Sequence, residues 1–97
     1  MATTYQQQYA SIQNDSAFVG RIIAAGVQTA ISIYNESTGV TSHAARAAFA
    51  IKVIANPDSY QRQFAWAVVA DPTIDSTATD ATIFSRLSAQ WNALAGV

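Results

Sequence analysis

Residues 17–34 read AFVGRIIAAGVQTAISIY, and the spacing of apolar groups in this stretch decides the fold class. Val19, Ile22, Ile23, Gly26, Val27, Ala30, Ile31 and Tyr34 recur at intervals of three and four, with Arg21, Gln28 and Ser32 off the stripe. Such spacing places the apolar groups along one side of an α-helix with 3.6 residues per turn. Asn14-Asp15-Ser16 precedes the stretch as a break and a fresh cap. Asn35-Glu36-Ser37-Thr38-Gly39 ends it, with Gly39 as a left-handed stop. This is the longest helix the sequence supports and is expected to be the central one. Gly20 and Gly26 lower its intrinsic propensity and predict close approach of another helix.

Working outward, Thr3 or Thr4 is expected to cap a short first helix on which Tyr5, Tyr9 and Ile12 share a face. After Gly39, Thr41 or Ser42 is placed to cap a helix from about His43 to Ala55, Ala-rich and bearing Phe49, Val53 and Ile54. Asn56-Pro57-Asp58 stops that helix and starts the next. Proline pushes its predecessor out of the helical region and itself suits a first helical turn, where Asp58 meets the positive end of the dipole. A helix over about Pro57–Ala70 follows, with Tyr60, Phe64, Ala67 and Val68 on one face and Trp66 and Val69 beside it. Asp71-Pro72 closes it, and Thr73 to Ala78 is a loop around Ile74. Thr79 caps a last helix carrying Ile83, Phe84, Leu87, Trp91 and Leu94. No convincing strand, internal repeat or linker interrupts the pattern. The expectation is one all-α domain over residues 1–97, a small bundle of four to five helices.

Composition narrows the function. Hydrophobic residues make up 51% of the 97 residues, but charged residues only 11%, against about 25% in ordinary soluble domains. There is one lysine, Lys52, and one glutamate, Glu36. Interfaces are depleted in Lys and Glu and enriched in Arg and aromatics, so this bias predicts a subunit that covers its surface with neighbours. A net charge of −1 leaves no electrostatic footprint for nucleic acid, so no sequence-specific nucleic-acid partner is expected. The absence of cysteine removes disulfides, thiolate metal sites and a cysteine nucleophile. Met1 to Gln8 has no basic stretch followed by an apolar run, so no signal peptide is expected. Arg21, Gln28 and Thr29 interrupt the longest apolar stretch, and no membrane-spanning segment is expected.

Little is left for chemistry. His43 is the only histidine and has no second ligand at metal spacing, and its neighbours Thr41, Ser42 and Arg46 read as a helix start rather than as a nucleophile or acidic orienter held for it. Asp15, Asp58 and Asp80 stand at helix starts, where capping and the dipole account for them. Asp71 and Asp75 flank a loop that lacks the regular acidic spacing of a calcium site and read as turn formers. The glycines are scattered rather than gathered into a phosphate cradle. The reading is a non-enzyme without cofactor or metal.

The aromatics are more informative. Phe64 and Trp66 are two positions apart on one helix and cannot face the same way, so one of them is expected to leave the core. With Arg62 beside them, this region is the first candidate contact surface. Trp91, Leu94 and Val97, at the C-terminal end, form the second.

One ordered cluster carries a family resemblance. His43-Ala44-Ala45-Arg46-Ala47-Ala48-Phe49-Ala50 leads through Val53 and Asn56-Pro57 to Phe64-Ala65-Trp66-Ala67-Val68-Val69, after a long helix that opens Asp15-Ser16-Ala17-Phe18 and carries Arg21. From about Tyr5 to Leu94 this order resembles small helical proteins from the structural gene modules of tailed bacteriophages. The resemblance implies a virion component in the head or neck, such as a head–tail connector or a capsid-associated protein. It implies self-association in a symmetric assembly and portal, capsid or tail proteins as partners. A small soluble helical protein-binding module or regulator is the alternative.

Overall fold

In a computed structural model, residue 10 and residues 13–71 and 73–97 are described. The short N-terminal helix expected around Tyr5, Tyr9 and Ile12 lies largely outside them. The described residues form five α-helices and no strand: α1 (Ser16–Ser37), α2 (Ala44–Ala55), α3 (Gln61–Val69), α4 (Asp80–Ala89) and α5 (Trp91–Ala95). The all-α bundle read from the sequence is the observed architecture.

Local chemistry sets most of the boundaries. The Asp15 carboxylate accepts the Phe18 backbone N–H at 3.0 Å and caps α1. At the other end Gly39 takes φ +78°, the left-handed conformation that glycine adopts without a Cβ penalty, and the chain turns away. Thr79 caps α4 by accepting the Thr82 N–H at 3.2 Å. The α2 start differs from expectation. Thr41–His43 winds as a 3₁₀ turn, and neither Thr41 nor Ser42 caps with its side chain. The Pro57 helix likewise opens as a 3₁₀ turn, Pro57–Tyr60, before α3. The last helix is not continuous. The backbone at Gln90 (φ −94°, ψ 3°) interrupts it, dividing α4 from α5.

Helix α1 is the hub and touches α2, α3 and α4. It is 22 residues long with a window of mean hydropathy 1.4, enough by length and composition to cross a membrane. Its buried stripe, however, is used inside the bundle. That stripe is Phe18, Ile22, Ala25, Gly26, Thr29, Ala30, Ile33 and Ser37. It is rotated from the stripe read in the sequence: Val19, Ile23 and Val27 are half-buried, and Ile31 and Tyr34 face outward. The physical reason is that apolar residues go most of the way round α1, so spacing alone does not choose a side. Small residues do. A Cβ built on Gly26 would stand 2.5 Å from Phe64 Cε2, so only glycine admits the ring there. Gly20 contradicts the same expectation, since nothing approaches its missing Cβ within 4 Å. Thr29 is buried within this stripe without cost to its hydroxyl, which donates to the Ala25 carbonyl at 2.8 Å.

The centre of the core is aromatic. Phe49 meets Tyr60 edge-on at 5.2 Å between ring centroids and Trp91 at 5.0 Å. Phe64 stacks with Trp91 at 6.4 Å. Ile74, in the loop between α3 and α4, is also buried and anchors that loop.

Candidate interaction surfaces

The charged side chains are mostly committed to the fold. Arg21 reaches from α1 to the segment before α4. Its Nε donates to Asp80 at 2.8 Å, one terminal nitrogen donates to the Ser76 carbonyl at 3.2 Å, and the other donates to the Ala78 carbonyl. Arg86 donates to the Ala67 carbonyl at 2.9 Å, tying α4 to α3. Arg46 pairs with Glu36 at 3.4 Å. Arg21 and Arg86 tie elements together through backbone carbonyls, and Arg46 through a carboxylate.

Asp71 and Asp75 act as turn formers. Asp71 accepts the Thr73 hydroxyl at 2.6 Å and its backbone N–H at 3.0 Å; Asp75 accepts the same pair from Thr77 at 2.5 and 2.9 Å. The threonine hydroxyl first, and then the backbone N–H, hold each carboxyl below the ordinary aspartate range. A carboxyl whose folded pKa is depressed adds stability above its unfolded pKa and loses it as pH falls toward the folded value. These turns therefore weaken only in acid. Among the described residues no three His, Cys, Asp or Glu side chains come together in a way that could hold a metal ion. His43 is half-buried at the entry to α2, and its Nδ1 is buried without a hydrogen-bond partner.

The candidate contact residues separate into two groups. Phe64 and Trp91 are fully buried, which corrects their reading as contact groups: both belong to the domain's own core. Trp91 stands at the start of α5, and its indole N–H donates to the Arg46 carbonyl at 3.2 Å, so the C-terminal end is pinned rather than free. Trp66 is the aromatic that leaves the core, at 43% exposure. With Leu94 it lines a groove of about 310 Å³ between α3 and α5, together with Gln63, Ala67, Gln90 and Ala93. Arg62 is exposed on α3, one helical turn before Trp66. Val97 is exposed, its N–H donating to the Asn92 carbonyl at 2.9 Å.

Sequence reasoning missed a second surface. Ile31, Tyr34, Ile51 and Ile54 are each about half exposed and lie along the outer side of α1 and α2. Tyr34, Ile51, Ile54 and Ala55 line a shallow groove of about 450 Å³ there. The signal was present in α1, where the apolar stripe was too wide for all of it to face one core. This surface and the Trp66 groove share no residue.

No protein-family model, curated protein or solved structure matches the chain.

Proposed function

We propose that the chain is a structural subunit of a tailed-bacteriophage virion, a head–tail connector, neck or capsid-associated protein that acts by oligomeric assembly and catalyses nothing. The observation that carries this reading is the combination of few charges with outward apolar groups on separate faces: Ile31, Tyr34, Ile51 and Ile54 on one, Trp66 on another. Large apolar groups on several faces suit a subunit with several neighbours, while a single binding patch would concentrate them. Arg21, Arg46 and Arg86 are spent on bridges to carbonyls and carboxylates within the domain, which leaves Arg62 as the arginine on an outward face. Closed symmetry multiplies modest contacts into a stable ring or shell, so no single face has to be large. The phage setting comes from the sequence resemblance. Its partners would be further copies of itself and portal, capsid or tail proteins, with no membrane and no sequence-specific nucleic acid.

Quantitative mass spectrometry of purified particles tests the reading. A closed ring and a closed shell differ in copy number, about a dozen per particle for a connector ring and on the order of hundreds for a capsid component. Absence from particles sinks the proposal.

The Trp66–Leu94 groove favours a second reading, a helical protein-binding module that grips one partner segment. Recovery of a single stoichiometric partner on immobilised protein, lost on Trp66→Ala, would support this reading over the first.

A further inference from the structure

We infer that the outer side of the α1–α2 layer is a self-association surface, closed by the same face of a second copy around a two-fold axis. The inference names one contact of the assembly proposed above and takes its biological setting from that reading.

Three features define the face. Ile31 and Tyr34 on α1 and Ile51 and Ile54 on α2 stand 45%, 45%, 53% and 41% exposed. Ala44, Ala48 and Ala55 fall on the same side of α2 at helical spacing from Ile51, and all three are exposed. None of the charged residues of the two helices lines the groove. Arg21 is held by the Ser76–Asp80 segment, and Arg46 and Glu36 hold each other. Lys52 is exposed and lies roughly 100° round α2 from Ile51, at the rim of the face.

Area and charge select a second copy as the occupant. Each of the four large side chains leaves on the order of 80–100 Å² open, about half of what such side chains bury in a core. With the alanines, one copy offers roughly 500 Å², so two such faces together bury roughly 1,000 Å², the lower bound for a specific interface counted over both partners. Equal apolar contributions from both sides are what an isologous pair supplies. A two-fold axis brings like residues together, and a face without charges can meet itself with no like-charge repulsion. The alanines let the α2 helices approach closely, and two stacked two-helix layers give a four-helix arrangement.

Sedimentation equilibrium of the full chain over a concentration series, on wild type, Ile51→Lys, Ile54→Ser and Trp66→Ala, tests the inference. Circular dichroism on each variant checks that the fold is kept. Wild type is expected to dimerise reversibly, with a dissociation constant raised about tenfold or more by Ile51→Lys and less by Ile54→Ser, and unchanged by Trp66→Ala. A wild type that stays monomeric at all concentrations overturns the inference, as does an oligomer that Ile51→Lys leaves intact. The intact oligomer would still favour assembly, through another face. A monomeric wild type that enters particles, with Ile51→Lys excluded from them, would assign the face to a different virion protein. The self-contact would then fail and the virion reading survive. A clean dimer in a protein absent from particles would leave the self-contact standing and remove the virion reading.

Discussion

Helix α2 places Phe49 and Ile51 two positions apart, and α3 does the same with Phe64 and Trp66. In each pair one member enters the aromatic cluster around Trp91 and the other looks outward. Two positions turn a helix by roughly 200°, so residues of nearly equal hydrophobicity end on opposite sides. The inner side is a set of rings in contact at 5.0–6.4 Å, and the outer side is an open strip of isoleucines, alanines and a tyrosine. The difference teaches that hydrophobicity in this chain does not say which residues are core. The choice is made by what the partner helix can admit: Gly26 opens room for Phe64, and nothing comparable receives Ile51.

The contrast breaks most sharply in the core. Trp91→Ala removes the residue on which Phe49 and Phe64 pack and the indole bond to the Arg46 carbonyl, and it is expected to cost about 3–5 kcal/mol in urea unfolding. A loss below 1 kcal/mol would mean the C-terminal helix is not part of the core. The two glycines of α1 sharpen the point at intermediate size. Gly26→Ala forces a methyl into the Phe64 ring and should destabilise by about 1–3 kcal/mol despite the better helix propensity of alanine. Gly20→Ala meets open space and should stabilise by roughly 0.5–1 kcal/mol. Equal effects at the two sites, read from thermal midpoints, would contradict the packing described for Gly26. The smallest effect belongs to the outer strip. Ile51→Ser should leave monomer stability within about 0.5 kcal/mol, measured at concentrations where no dimer forms. A large loss there would show that the strip contributes to the fold itself.

The helices were legible in the sequence because their ends carry chemistry of their own. Asp15 and Thr79 cap with side-chain oxygens, Gly39 takes the left-handed turn, and Asn56-Pro57 closes one helix and opens the next. The breaks and 3₁₀ turns were less legible, because Thr41, Ser42 and Gln90 carry no residue-level signal that separates a 3₁₀ turn or a break from a regular helix. For the surfaces, the two-apart rule identified that either Phe64 or Trp66 must leave the core, but the choice depended on Gly26, a contact 38 positions away. The α1–α2 strip escaped notice because a helix that is apolar most of the way round has no side its own spacing singles out.

The two tryptophans stand on opposite sides of this division, and the protein consequently carries two optical reporters. Trp91, buried with its indole N–H on a carbonyl, should emit at shorter wavelength and resist quenching by iodide until the core opens. Trp66, partly in solvent, should emit further to the red and respond to events at the α3–α5 groove. In a Trp66→Phe variant the remaining emission follows unfolding of the core, and in the wild type the difference between the two signals follows what happens at the groove.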